Sequence, residues 1–274
     1  MAEDGGPQSA SDRNRAASVA RDRQAAVATA ALRLGFLLVV LALWWAAARS
    51  APSGLFASPA AVAAALFRLV AEGRLLPALG ESLSIYVSGT GAAIVFGIAL
   101  GALMGTLRPV GRMLDVYVHA LAATPRVAFI PLIIVLLGLG FQAKVLVVFL
   151  GAVMPVILNA YAGVRAADPD LVEMARATGA SRRRILFHVV LPGALPFLVT
   201  GVRIGATIGL INTVVAELYT AVSGLGGLLA IYGSRFQMAE YLAVVVVLAL
   251  IGVTMTEGLR VIETRLLRWR GAPA

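Results

Sequence analysis

Residues 83–107 read LSIYVSGTGAAIVFGIALGALMGTL and contain no charged side chain over 25 positions. A helix of this length is about 37 Å long, which exceeds the ~30 Å hydrocarbon thickness of a bilayer. Gly97, Gly101 and Gly105 recur at every fourth residue, and Gly89 precedes them. Small residues on one helix face let a second helix pack closely. The stretch therefore predicts a membrane-spanning helix with a close-packing face.

The composition of the whole chain agrees with this prediction. Of its 274 residues, 60% are hydrophobic and only 14% are charged, which excludes an ordinary soluble domain. The chain has no cysteine, so disulfides, thiolate metal sites and lipoprotein-type acylation are excluded. Two histidines, His119 and His188, are too few for a histidine metal cage and are interpreted as packing or interfacial residues. We expect no metal and no cofactor in this chain.

Five further apolar segments complete a predicted set of six spans. They are residues 34–48, 127–139, 145–163, 192–216 and 241–256. The first is short and can cross a bilayer only by tilting or by extending back through residues 25–31. The segment 127–139 follows an amphipathic stretch, from which Thr124, Pro125 and Arg126 separate it, so we expect a bent or broken element there. The predicted fold class is all-α, a polytopic membrane helix bundle.

The segments also suggest domain boundaries. We interpret residues 1–30, which lack sustained apolar periodicity, as a disordered cytoplasmic tail. Residues 31–80 are assigned to the first transmembrane helix and an external linker. Residues 81–265 form the transmembrane domain, which contains a polar loop at 165–192, and residues 266–274 form a second cytoplasmic tail.

The basic residues predict the orientation of this bundle. With the N-terminus inside, 16 lysines and arginines fall on the cytoplasmic side and 5 on the other side. Arg126 and Arg203 are left as intramembrane or boundary cases. Because cytoplasmic loops carry the excess of basic residues, both termini and the loop at 165–192 are predicted to be cytoplasmic.

The loop at 165–192 has the sequence signals of a short helix. Asp168 can cap a helix that begins at Pro169, and Gly179 offers a left-handed stop. Four side chains then share one narrow apolar face at helical spacing: Leu171, Met174, Ala175 and Thr178. Ser181 can start a second helix that ends at Pro192 and Pro196. A charged helix with one apolar face suits insertion into a groove of a partner protein.

Two other interpretations of this loop were weighed. Residues 177–184, ATGASRRR, superficially resemble a helix-turn-helix DNA reader, but a reader between two spans has no room to dock, so no nucleic-acid partner is expected. The loop can also be a solvated basic segment that only fixes topology. That reading explains the arginines but not the capped apolar helix.

The sequence gives no site for ATP hydrolysis. A phosphate-binding loop needs G-x4-G-K-[ST]. Lys144 is the only lysine, and Gly138 lies at the right distance before it. Ala143 and Val145, however, replace the second glycine and the hydroxyl residue. If ATP drives this protein, another chain must bind it.

Polar residues within the spans are candidates for a translocation pathway or gate, because their burial is costly. Arg203 can snorkel or pair with an acid at a gate. Asn212 can line the pathway or form a hydrogen bond between helices. Glu217 can act as a proton relay, although no partner is evident, and the glycine-rich turn at 223–227 that follows it suits a re-entrant segment.

The loop also resembles the EAA motif of bacterial ABC importer permeases, E-A-A-x3-G followed by nine residues and I-x-L-P. The matching residues are Glu173, Ala175, Gly179, Val189, Leu191 and Pro192. Met174 and Val189 depart from the pattern but stay apolar. In that family the loop docks on a separate ATPase, which implies coupling roles for Asp168, Leu171, Glu173, Met174, Ala175, Thr178, Gly179, Ala180, Ser181, Leu191 and Pro192.

Within these binding-protein-dependent (MetI-like) permeases, residues 125–132, 201–203 and 217–227 resemble the nitrate/sulfonate/taurine type. The resemblance implies a homodimer in the bacterial inner membrane, two ATPase subunits, an external solute-binding protein and alternating access. The implied solute is a small anion such as a sulfonate, taurine or nitrate. The alternatives are a permease for another small solute, such as a vitamin precursor, and an ion-coupled transporter without an ATPase. An intramembrane enzyme is disfavoured because no nucleophile and base, or pair of acids, lies at mid-span.

Overall fold

The computed structural model describes residues 7–50 and 56–266, and all regular structure in these ranges is helical. The helices are α1 (Pro7–Ser50), α2 (Pro59–Ala71), α3 (Leu75–Thr106), α4 (Arg108–Ala123), α5 (Ile130–Leu137), α6 (Phe141–Arg165), α7 (Pro169–Ala177), α8 (Arg182–Ile185), α9 (Leu191–Thr220), α10 (Gly224–Ser234) and α11 (Met238–Leu266). A 3₁₀ turn at Arg126–Phe129 precedes α5, and a π-helical turn at Leu186–Val190 precedes α9. The predicted all-α class is confirmed.

Within the described ranges, five helical segments are long and apolar enough to cross a membrane. They are Val27–Ser50, Leu75–Thr106, Phe141–Arg165, Arg182–Thr220 and Met238–Leu266. A sixth span results if Arg108–Ala123 and Arg126–Leu137, bent by 84°, count as one. Thr124 at the break is extended, as expected for the residue before a proline. The predicted bundle of about six spans, with a broken third element, is confirmed.

The chain divides into two compact units, Met1–Ala63 and Ala64–Ala274. In the first unit the candidate span begins at Val27, so the short apolar run extends backwards, which is one of the two predicted arrangements. Helix α1 continues further back to Pro7, where composition predicted a disordered tail. Alanine has the highest helix propensity, and a span that is already helical supplies the costly nucleus, so the helix can propagate into this alanine-rich segment.

The second unit is built around α3, α6 and α9. Each of the four predicted small residues of α3 contacts α6. A Cβ atom on Gly101 would lie 2.5 Å from the Ile157 carbonyl oxygen, and one on Gly97 would lie 2.8 Å from the Val156 Cβ. A Cβ atom on Gly205 of α9 would lie 2.8 Å from the Cγ2 of the same valine. The three helices therefore approach to backbone contact, and larger side chains do not fit between them.

The second loop helix does not end where the sequence predicted. From Arg182 the chain continues through the π-helical turn into α9, and Pro192 and Pro196 lie inside this continuous run. The Leu191 N–H donates to the Leu186 carbonyl oxygen, five residues back. This wider turn precedes Pro192, whose ring clashes with the preceding turn in a regular α-helix. The expected stop at the prolines is therefore wrong.

Two of the predicted domain boundaries, at 30/31 and 80/81, lie inside helices α1 and α3. Helix α3 begins at Leu75, before the predicted boundary at residue 81, and α11 ends at Leu266. The remainder of the predicted tail at 266–274 lies outside the described residues. Helix α10 is an apolar segment of 11 residues, about 16 Å, which is too short to cross a bilayer.

The close approach of α3 and α6 predicts a sharp difference between two glycines of the same helix. Gly101→Ala places a methyl group against a backbone oxygen and should destabilise the protein by about 1–3 kcal/mol. Gly91→Ala is the control, because a Cβ there meets nothing within 4 Å. Thermal unfolding of the purified proteins in detergent measures both, and equal midpoints would contradict the packing described.

Candidate coupling loop and polar sites within the spans

Local hydrogen bonds define both ends of α7. Asp168 Oδ1 accepts a hydrogen bond from the Asp170 N–H at 2.9 Å, and Pro169 occupies the first turn, where its missing N–H costs nothing. Gly179 has φ of +80°, and the Ala180 N–H donates to the Ala175 carbonyl oxygen at 3.0 Å. The predicted cap and left-handed stop of this helix are therefore confirmed.

The predicted apolar face of α7 is largely uncovered. Leu171 is 50% exposed and Met174 is 63% exposed, and Thr178 is also exposed. Ala175 is half-buried, and Glu173 is exposed beside this face. Two large apolar side chains on a polar loop are thus accessible for contact with another protein surface.

The opposite side of α7 faces the ends of the spans. A cavity of about 720 Å³ separates the loop from α3 and α6. Val172 and Arg176 line it from α7, and Thr106 and Val164 line it from the ends of α3 and α6. Ser181, whose Oγ accepts a hydrogen bond from the Arg184 N–H at 3.3 Å, starts the segment that leads into α9 through Leu191 and Pro192. The loop is therefore continuous with one span and adjacent to two more.

Arg203 forms an ion pair with an acid on another helix. Its Nη1 lies 2.9 Å from Glu263 Oε2, and this ion pair joins α9 to α11. Pairing with an acid was one of the two predicted arrangements for Arg203. Glu263 was not singled out from sequence, because it lies 60 residues further along the chain in a segment with several charges.

Asn212 and Arg126 meet α6 at the same residue. Asn212 Nδ2 donates to the Ile208 carbonyl oxygen of its own helix at 2.9 Å, rather than to another helix. Its carboxamide packs on Gly151, where a Cβ would lie 2.4 Å from Nδ2. Arg126 Nη1 donates to the Gly151 carbonyl oxygen at 2.8 Å. Both side chains, which come from different parts of the chain, therefore contact Gly151.

Glu217 is fully buried and holds the start of α10. Its carboxylate accepts hydrogen bonds from Ser82 Oγ at 2.7 Å and from the Gly226 N–H at 2.8 Å. Ser82 Oγ in turn accepts from the Leu225 N–H at 2.8 Å. Gly224 has φ of +82°, and a Cβ there would overlap the carboxylate. Glu217 thus caps a helix from outside and leaves no room for a larger residue at the first helical position.

A second polar cluster lies next to this cap. Lys144 is 2% exposed, and its Nζ lies 3.1 Å from Glu81 Oε1 and 2.8 Å from Ser223 Oγ. Ser223 is the N-cap residue of α10 and also contacts Glu81. The sequence pattern around Lys144 excludes an ATP site but does not indicate this ion pair. Its partners were missed because they lie more than 60 residues away in sequence.

These observations define a helical membrane protein with a capped helix in a polar loop and several paired polar groups in its spans. A family model described as "binding-protein-dependent transport system inner membrane component" matches residues 93–268. The chain belongs to this family, the MetI-like permeases of ABC transporters. It is therefore a transport component.

Three curated relatives illustrate this placement. The taurine transport permease TauC of Escherichia coli is 34% identical over 88% of this chain and 90% of its own length. The putative aliphatic sulfonates permease SsuC of Escherichia coli is 37% identical over 59% of this chain and 61% of its own length. The riboflavin transport permease RibX of Chloroflexus aurantiacus is 32% identical over 88% and 91%.

Solved structures agree on the fold. A chain of the inward-facing MetNI methionine ABC transporter has a TM-score of 0.62 at 22% identity, covering 70% of this chain and 95% of that one. A chain of an amino acid ABC transporter has a TM-score of 0.61 at 19% identity, covering 73% and 98%. The arrangement of helices is therefore that of an ABC transporter permease.

The cap of α7 predicts a local change in stability. Asp168→Ala removes the acceptor for the Asp170 N–H and should cost about 1 kcal/mol, roughly a fivefold gain in the frayed helix population. The rate of trypsin cleavage after Arg176 in the purified protein, followed by mass spectrometry, should rise by about the same factor of five. Asp168→Asn keeps a capping oxygen and should be cleaved like the wild type. Equal rates for Asp168→Ala and the wild type would contradict the cap.

Proposed function

We propose that this chain is the membrane subunit of an ATP-driven importer that accepts solute from an external binding protein. The observation that carries the proposal is the exposed apolar face of α7, set on a loop whose caps fix its shape. A groove on a separate ATPase would cover Leu171 and Met174. We define Asp168 to Gly179 as the coupling loop.

The energy source would reside in that second chain. Lys144 lacks the glycine and hydroxyl neighbours of a phosphate-binding loop, and its ammonium group is already paired with Glu81. It is the only lysine, so the chain offers no other residue for that role. The purified chain alone should accordingly hydrolyse no ATP.

Motion would pass from the coupling loop to the spans by direct contact. The loop continues through the π-helical turn into α9 and borders the ends of α3 and α6. Because α6 packs at glycine contacts against both α3 and α9, a displacement of one end would move the three helices together. Alternating access then consists of a tilt of this group toward or away from a second copy in a homodimer.

The arrangement in the membrane follows from charge. The excess of basic residues on one side supports cytoplasmic termini and a cytoplasmic coupling loop in the bacterial inner membrane. An ATPase would then meet the coupling loop, and a solute-binding protein would dock on the opposite side.

A small anion such as taurine or another sulfonate is the proposed solute. The relatives named for taurine and aliphatic sulfonates support this class. A second candidate, a vitamin-type solute, is supported by the riboflavin permease, which matches as much of the chain. The external binding protein would select between such solutes.

Two substitutions at Gly179 test the coupling role. Its φ is positive and a Cβ there meets nothing within 4 Å, so only backbone conformation limits the residue. Gly179→Val is strained in this conformation, whereas Gly179→Asn tolerates it. In cells that express the ATPase and binding protein, Gly179→Val should abolish most solute uptake at normal membrane levels, and Gly179→Asn should retain it.

Three measurements in those cells decide the outcome. Uptake, membrane level and copurification with the ATPase are compared between the two variants. Normal uptake by Gly179→Val would contradict the coupling role. Uptake that persists without ATP and collapses with the proton gradient would favour an ion-coupled transporter instead.

A further inference from the structure

Arg126 lies at the break of the third span, between α4 and α5. Its Nη1 donates to the carbonyl oxygen of Gly151, which lies 10 residues after the start of α6 and 14 before its end. At 1.5 Å per residue these are about 15 Å and 21 Å. The guanidinium is therefore held near the middle of a membrane-spanning helix.

No carboxylate of the described residues lies within 4.0 Å of this guanidinium. Two other cations of the spans differ in this respect, because Arg203 pairs with Glu263 and Lys144 pairs with Glu81. Arg126 has only two backbone acceptors, the carbonyl oxygens of Gly151 and Ala122, at 2.8 and 3.0 Å. Two of its five N–H donors suffice for these bonds, and the side chain is half-buried.

The backbone contacts alone do not account for a charge at this depth. Arg126 Nη2 bonds the Ala122 carbonyl oxygen, one of the free acceptors at the end of α4. A neutral donor can also satisfy such an oxygen, although with a weaker hydrogen bond. An intramembrane cation without a counter-ion is costly, and such groups typically serve a substrate or ion pathway. The charge therefore points to an anion as its partner.

Asn212 adds a second polar group at the same level. Its carboxamide packs on the Cα of Gly151, whose carbonyl oxygen holds Arg126. The two side chains come from different spans, α9 and the α4–α5 break, and both are half-buried. A fixed guanidinium with an amide nearby suits a tetrahedral or planar oxyanion, which accepts two parallel hydrogen bonds from arginine.

We propose that Arg126 recognises the anionic group of the transported solute, a sulfonate or similar oxyanion, halfway across the membrane. Asn212 lines the same site. This inference rests on the proposed function and adds to it a specific site for the solute's charge. The external binding protein would select the solute, and Arg126 would offset the cost of moving its charge through the spans.

The test uses the complete complex of this chain, its ATPase and its binding protein in proteoliposomes, with radiolabelled taurine and ethanesulfonate as probes. Arg126→Gln keeps a donor without charge and should lower uptake by about tenfold or more, whereas Arg126→Lys keeps the charge and should retain much more. The matched control is Arg112→Gln, an exposed arginine of α4, which should transport normally. Binding-protein-stimulated ATP hydrolysis should persist in all of them.

Asn212→Asp provides a second test if the complex with Arg126→Gln fails to assemble. The new carboxylate is almost the same size as the amide and supplies Arg126 with an internal counter-ion, so sulfonate uptake should fall in a complex that still assembles. Normal uptake by Asn212→Asp or by Arg126→Gln would overturn the inference. Equal losses in the Lys and Gln variants would also overturn it, because they would indicate a role for side-chain shape rather than charge.

The wild-type complex separates this inference from the proposed function. ATP-dependent uptake of either sulfonate by the wild type supports the function, whatever the variants do. Failure of the wild type to import both probes would refute the anionic solute class, and the inference would fall with it.

Discussion

Close contact between α3, α6 and α9 is the constraint on which the rest of the second unit depends. Within a bilayer the hydrophobic effect does not drive helices together, so association relies on packing and on hydrogen bonds between helices. Gly97, Gly101 and Gly205 allow that packing because they have no side chain at the contact. Val156 of α6 lies between Gly97 and Gly205 and so joins all three helices.

This group of helices positions the polar residues. Ser82 of α3 bonds both the Glu217 carboxylate of α9 and the Leu225 N–H of α10. It therefore links Glu217 to the N-terminus of α10. Lys144 of α6 meets Glu81 of α3 in the same way. Both contacts hold the start of α10, so one end of this short helix is fixed by three of the spans. The coupling loop, by contrast, is attached to the same spans with a cavity beneath it. The group is thus rigid at one end and open to displacement at the other.

The sequence predicted those features that local physics controls. The thickness of the bilayer sets the length of a span, so uninterrupted apolar runs located the spans, although α3 begins at Leu75 rather than residue 83 and α11 ends at Leu266 rather than residue 256. The ends of α7 were also predictable, because Asp168 and Gly179 act on their own neighbours. Partners distant in sequence were not predictable: Glu263 for Arg203, Ser82 for Glu217, and Gly151 for Arg126. A single sequence does not specify which faces of two helices meet. The π-helical turn was missed for a related reason, since its wider spacing removes the clash that made Pro192 look like a helix end.

The proposed function depends above all on contact between the exposed apolar face of α7 and a separate ATPase. A cysteine in place of Met174 tests it directly, because the native chain contains no cysteine. Phe67→Cys is the control, since that side chain is 76% exposed but lies on α2, far from the loop in sequence and on the predicted external side. In membrane vesicles that contain the whole complex, a short thiol-to-amine crosslinker should join Met174→Cys, and not Phe67→Cys, to the ATPase. An intact complex in which Met174→Cys gives no such product would contradict the account.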